Sequence, residues 1–223
     1  MSEMVKVVVD AMGGDNAPEE PVKAAVEAVK EKENIQVILT GVQDVIEAEL
    51  RKYPDYPKDR IRVVHASQVI ETAEPPVMAI QKKKDSSIVV GLNLVKKQEA
   101  DAFVSSGSTG AVLVGGQVIV GRIKGIRRPP LAPLIPTAKG VSLLIDCGAN
   151  VDARPDHLVQ FAQMGSIYME NVVGIKKPRV AIVNNGAEEE KGNALVKATF
   201  PLLKACKDIN FIGSIEAREI PHG

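Results

Sequence analysis

Four segments rich in Gly, Ser, Asn and Asp each follow a short apolar run, and their residue types suit the binding of an anion. They are Asp10–Asn16 (DAMGGDN), Ser105–Gly110 (SSGSTG), Asp146–Asp152 (DCGANVD) and Asn184–Gly192 (NNGAEEEKG). Glycines let backbone N–H groups approach a ligand, and a helix starting after such a loop adds partial positive charge. Ser105, Ser106, Ser108 and Thr109 supply hydroxyl donors ahead of a helical run that starts near Gly110. The same residues also suit plain turns after strands, and Ser108 or Thr109 would equally cap a helix. Ligands of open α/β sheets bind at the carboxyl ends of the strands, so four such loops on one sheet edge would form a crevice. Lys191, in a Gly-flanked loop, is the candidate catalytic cation. Its other role would be to balance Glu188, Glu189 and Glu190 at the surface.

Several other chemistries are disfavoured. There is no GxxxxGK[ST], no GxGxxG after the first strand and no acidic residue after Thr40-Gly41 to hold a ribose. No Ser-His-Asp set or GxSxG elbow stands out. His65, His157 and His222 are scattered without ligand spacing, so neither metal nor cofactor is expected. Asp10, Asp15, Asp146 and Asp152 could hold a divalent ion, but capping and turn roles account for them as well. An enzyme built this way would use a bound substrate as nucleophile and supply positioning and electrostatic stabilisation. Arg122, Lys124, Arg127 and Arg128 form a run without an acid, and Lys82-Lys83-Lys84 is a second cluster. Each is a solvated face or a dock for an acidic partner.

The elements that must position these loops alternate. Strands are predicted over Val5–Asp10, Gln36–Thr40, Ile61–His65, Ala102–Ser105, Val141–Asp146, Arg179–Asn184 and Ile209–Ser214. Runs such as VKVVVD, SLLID and RVAIVN are apolar throughout, as in parallel strands covered on both faces. Helices are predicted over Pro18–Glu31 (Val22, Ala25, Val26, Val29 inward), Gln43–Tyr53 (Val45, Ile46, Leu50), Pro155–Val173 (Leu158, Phe161, Ala162, Ile167) and Asn193–Lys207 (Leu195, Phe200, Leu202, Leu203). The alternation gives an α/β fold with right-handed crossovers. Arg127–Thr137 holds four prolines and is predicted as an extended edge or ordered loop between two halves. The last strand meets no following helix, so it is an edge or lacks a cover.

The chain has 223 residues, enough for one large domain or two small subdomains. Lys plus Arg and Asp plus Glu are both 28, and aromatics are 3% with no Trp, which argues against nucleic acid as partner. Cys147 and Cys206 have no disulfide or zinc pattern, the N-terminus lacks a leader, and Ala111–Gly121 is too short to span a membrane. These features point to a cytoplasmic protein.

The motifs VDAMGGDNAP, SSGSTGA, VGRIKGI, DCGANVDARPDHLVQFAQMGS, NNGAEEEKGN and NFIGSIEAR, in this order, resemble the PlsX family of bacterial phosphate acyltransferases. The resemblance covers essentially the whole chain. It implies transfer of a long-chain acyl group from acyl carrier protein to inorganic phosphate, giving acyl phosphate for phospholipid synthesis. It also implies a three-layer α/β/α sandwich of the isocitrate/isopropylmalate dehydrogenase type, a homodimer, and peripheral association with the inner face of the membrane. Lys191 falls on the family's loop lysine, orienting phosphate and stabilising developing charge. Asp10, Gly13, Gly14, Asp15, Asn16, Gly107, Ser108, Thr109, Gly110, Asp146, Asn150 and Asp152 fall on its substrate pocket, and Arg122, Lys124, Arg127 and Arg128 become the carrier-protein dock. Most family members have Asn where this chain has Ser108. Family chains also continue beyond the equivalent of Gly223 with a further strand, a Gly/Asn loop and long helices. The 223 residues are thus expected to be a single α/β acyltransferase domain lacking its C-terminal part. Two alternatives stand beside this reading: a phosphotransacetylase-like enzyme acting on acyl-CoA, and an inactive fragment that binds carrier protein or phosphate.

Overall fold

The computed structural model describes residues 3–223; Met1 and Ser2, which begin the segment read as carrying no leader, lie outside them. The chain forms two compact units, divided between Ile123 and Lys124.

The first unit alternates strand and helix. It runs β1 (Val5–Asp10), α1 (Glu19–Glu31), β2 (Ile35–Gly41), α2 (Gln43–Leu50), β3 (Ile61–His65), α3 (Pro76–Lys82), α4 (Ser87–Lys96), β4 (Ala102–Val104) and α5 (Thr109–Gly115), which continues as a π-turn to Val120. The strands form one parallel sheet in the order β3-β2-β1-β4. Val7 lies opposite Val37 and Val9 opposite Leu39, so one valine-rich face meets α1. That helix buries Val22, Ala25, Val26 and Val29 at helical spacing, as its sequence requires. Each such valine contributes about 1.5–3 kcal/mol of transfer free energy. The opposite face packs Val8 and Ile38 against Leu94 and Ala100. Helices α3 and α4 lie where the sequence predicts no element, and in α4 the β-branched Ile88, Val89 and Val90 and then Gly91 have weak helix propensity. Burial overrides propensity there: Ser86 caps α4 by accepting from the Val89 N–H at 3.3 Å, and Ile88, Val89, Leu92 and Leu94 are all buried.

The loop after β3 is tied to the start of α4. Asp85 Oδ2 accepts from the Ser67 hydroxyl at 2.5 Å and the Ser67 N–H at 2.9 Å. The Ser67 hydroxyl, then its N–H, holds the Asp85 carboxyl below its ordinary range against the opposing effect of burial, with a small contribution from His65. A carboxyl depressed on folding adds stability above its unfolded value, about 3.9, and that stability is lost as pH falls through the folded value. Asp85→Asn is therefore expected to be less stable than the parent at pH 7 and to approach it as pH falls below about 3.9. Urea unfolding across that range checks this. A gap of constant size would remove Asp85 from the acid limb.

The second unit contains β5 (Leu134–Thr137), β6 (Gly140–Leu143), α6 (Pro155–Tyr168, with a π-turn to Val173), β7 (Arg179–Asn184), α7 (Ala194–Ala205) and β8 (Asn210–Glu216). Parallel β7 and β8 pack on Ala162, Phe200 and Leu203 from α6 and α7. Phe200 meets Phe211 edge-on at 5.2 Å, a favoured aromatic geometry. Two expectations are corrected. The apolar run before Asp146 is not a parallel strand: β6 pairs antiparallel with β5, an extended piece of the proline-rich stretch. Val45, Ile167 and Leu202 are exposed rather than inward. In α6 the buried residues are His157, Phe161, Ala162, Gly165 and Ser166, a stripe that Ile167 lies beside.

Candidate functional site

The four loops do not lie on one sheet edge, which corrects the sequence expectation. Two follow β1 and β4 in the parallel sheet of the first unit; one follows the β5–β6 hairpin and one follows β7, both in the second. The antiparallel pairing of β6 removes its loop from any parallel sheet, and β7 pairs with β8 in a sheet of its own.

In the first unit, Asp10 joins two loops. It ends β1 with only 2% of its surface exposed. Oδ1 accepts from the Met12 N–H at 3.1 Å and Oδ2 from the Ser105 hydroxyl at 2.7 Å. Ser105 Oγ in turn accepts from the Gly107 N–H at 3.0 Å. Both carboxylate oxygens are engaged, as a buried charge requires. Gly13 is squeezed into this junction: a Cβ there would lie 2.5 Å from Asp10 Oδ2 and 2.8 Å from the Gly107 nitrogen. Gly14, Asp15 and Asn16 are exposed. With Ser105 and Ser106 they line one end of a groove of about 510 Å³ that continues along α1. Ser108 is 3% exposed and is the cap of α5, its Oγ accepting from the Ala111 N–H at 3.3 Å. Thr109 is exposed, and Gly110 packs on Pro76.

In the second unit, Asp146 is a turn residue. Oδ1 accepts from the Leu131 N–H at 2.6 Å and Oδ2 from the Asn150 N–H at 2.8 Å. The Asn150 side chain donates to the Pro129 carbonyl at 3.1 Å, fastening the proline-rich stretch. Asp152 is exposed. His157, 3% exposed, sits in the first turn of α6 and accepts from the Arg154 N–H at 3.3 Å. Among the described residues there is no group of three or more His, Cys, Asp or Glu placed to hold a metal, and no helix long and apolar enough to cross a membrane.

Lys191 is half-exposed, and its Nζ lies 3.4 Å from Glu188 Oε2. Its backbone is fixed although its head is not. Asn184, at the end of β7 and 9% exposed, donates from Nδ2 to the Lys191 carbonyl at 3.2 Å. The next residue, Gly192, adopts φ +106, and a Cβ there would lie 2.7 Å from Asn184 Oδ1. The Glu188 N–H, then Lys191, holds the Glu188 carboxyl below its ordinary range. The loop therefore presents one cation on a defined backbone, with a single carboxylate beside it. In the sequence Asn184 is only the last residue of a predicted strand and the first of a polar loop, with no site role of its own. Its signal was position: a strand's last residue, seven before a Lys-Gly pair.

The basic run is exposed at Arg122, Lys124, Arg127 and Arg128. It is not free of acid in three dimensions, because Arg127 pairs with Asp156 of α6. Burial pushes the Asp156 carboxyl up, but Arg127 and Arg154 outweigh it and hold the group below its usual range. The Lys82–Lys84 cluster is largely internal bracing: Lys83 Nζ donates to the Val69 carbonyl at 2.6 Å and to Glu74 at 2.5 Å, and Lys84 to the Ile80 carbonyl at 3.2 Å.

Comparison with known proteins bears on the fold and the family. Solved structures of a phosphotransacetylase from Streptococcus pyogenes (TM-score 0.71, 18% identity, covering 96% of this chain and 68% of that one) and of the EutD phosphotransacetylase from Staphylococcus aureus (0.67, 17%, 96% and 69%) share the α/β fold. The sequence profile described as "Fatty acid synthesis protein" matches residues 5–223, and the chain belongs to that family. It is 56% identical over 221 residues to the phosphate acyltransferase of Alkaliphilus oremlandii and 53% identical over 219 to that of Clostridium botulinum. Each alignment covers 98% of this chain but only 64% and 66% of those relatives, so the chain spans under two thirds of their length. The resemblance carried by the loop motifs is thereby borne out.

Proposed function

We propose that these residues belong to a phosphate acyltransferase that uses acyl carrier protein as acyl donor. An oxygen of inorganic phosphate attacks the carbonyl carbon of a long-chain thioester. The C–S bond breaks, the carrier leaves as thiol with a proton from the medium or the phosphate, and acyl phosphate is the product. The observation that carries this reading is the Gly-flanked Lys191, an exposed ammonium on a fixed backbone at the end of a parallel strand, in a chain of the fatty acid synthesis family. Phosphate as nucleophile explains why no Ser or Cys nucleophile is needed. It leaves the protein to orient the anion and to stabilise the charge that gathers on the carbonyl oxygen.

Lys191 takes both roles, its ammonium meeting the phosphate and then the developing charge. The exposed Gly14, Asp15, Asn16 and Thr109 of the first unit, and Asp152 of the second, are assigned to substrate contact; Asp10, Gly13, Gly107, Ser108, Gly110, Asp146 and Asn150 shape the loops that carry them. Arg122, Lys124, Arg127 and Arg128 are assigned to the acidic carrier protein, for which surface cations set encounter rate more than affinity. The reading extends to a cytoplasmic homodimer peripheral to the membrane, with a three-layer sandwich of the dehydrogenase type.

The test is phosphate-dependent thiol release by this chain. Long-chain acyl carrier protein is expected to release thiol at a rate that saturates with phosphate. No release with any thioester, while the carrier still binds, would reduce the chain to a binding module. Preference for short acyl-CoA would favour the acyl-CoA enzyme.

A further inference from the structure

We infer that Asn184 is a positioning residue for Lys191, holding the lysine backbone so that its ammonium can meet phosphate; this rests on the reading of Lys191 just given. The carboxamide makes three bonds in three directions. Oδ1 accepts from the Asn185 N–H at 2.8 Å, and Nδ2 donates to the Lys191 carbonyl at 3.2 Å and to Ser214 Oγ at 3.4 Å. It thus joins the end of β7, the exit of the lysine loop and β8. Only an amide of this length offers a donor pair and an acceptor together. Aspartate would set a carboxylate against the Lys191 carbonyl, and alanine would leave that carbonyl without its partner.

The geometry distinguishes this contact from ordinary turn bonding. The bond spans seven residues and lands on the lysine itself, not on a neighbour in the turn. The Lys191 stem crosses directly over Gly186, where a Cβ would lie 2.5 Å from Lys191 Cδ. The stem's path therefore depends on where Asn184 places the lysine Cα. The ammonium's one close carboxylate, Glu188, is exposed and is a weak restraint.

The experiment is labelling of Lys191 in the full chain with an amine-reactive acetyl ester, quantified by peptide mass spectrometry across a titration of inorganic phosphate. In the parent, phosphate is expected to protect Lys191, and Lys204, which pairs with Glu189 at 2.8 Å, serves as internal reference. Asn184→Ala is expected to raise the phosphate concentration of half-protection about tenfold, Asn184→Asp to do the same, and Ser214→Ala to raise it about threefold. In a variant that circular dichroism shows to be more than about nine-tenths folded, the half-protection point reports the affinity of the folded site, so a purely structural role would leave it unmoved. A half-protection point equal to the parent's in Asn184→Ala overturns the inference and leaves the reading of Lys191 standing. If Asn184→Ala does not fold, Asn184→Asp and Ser214→Ala decide by the same criterion. A parent whose Lys191 is not protected at any phosphate concentration overturns the reading of Lys191, and the role of Asn184 with it.

Discussion

Lys191→Ala is expected to lower phosphate-dependent thiol release by roughly 10²–10³, the usual cost of removing one group that stabilises developing negative charge. The fold should hardly notice. The side chain is half-exposed, and its ionic partner Glu188 is itself exposed. Such pairs contribute little to stability, so the thermal midpoint should move by no more than about 1–2 °C. Lys191→Arg keeps the charge but not the compact ammonium, and should fall between parent and alanine. The check is steady-state thiol release alongside calorimetry on the same preparations. An alanine variant that turns over at the parent's rate would take Lys191 out of the mechanism. One that loses activity and melting temperature together would mean that the lysine is structural.

The second large effect runs the other way. Gly13→Ala is expected to destabilise the first unit by about 2–4 kcal/mol, combining overpacking with a broken buried hydrogen bond. The added methyl would stand 2.5 Å from Asp10 Oδ2, 2.8 Å from the Gly107 nitrogen and 2.9 Å from Ser105 Oγ. None of these can yield cheaply. One is backbone, and the other two are the partners of the 2.7 Å bond that joins the β1 and β4 loops. Moving them apart strands a carboxylate that is 2% exposed. Urea unfolding measures the loss; an alanine variant as stable as the parent would mean that the two loops stand farther apart than described.

Much of the architecture was legible because burial and periodicity coincide. Apolar runs such as Val5–Asp10 and Arg179–Asn184 are strands, and Val22, Ala25, Val26 and Val29 mark the face of α1. Legibility failed where tertiary partners decide. Helix α4 contradicts its own β-branched composition because a cap and a core on one side reward it. The pairing of β6 depends on a strand formed inside a proline-rich stretch, and Pro136 sits in that edge strand. At the site, residue types indicated polar loops but not the division of labour within them. Asp10 looks like a ligand group in sequence and is a junction in space, while Asn184 looks like the plain end of a strand and reaches the lysine seven residues on. A chain can be read for its periods, but hydrogen bonds between distant residues leave no local trace.

The cap at Ser108 bears on how departures from a family pattern should be weighed. The family resemblance places Asn there, and a difference inside a glycine-rich motif invites the suspicion of altered chemistry. Yet the Ser108 oxygen spends itself on the Ala111 N–H, and the side chain is buried. Serine and asparagine are near-equal at that task. As helix caps the two residues are near-synonyms, and the difference leaves the start of α5 capped.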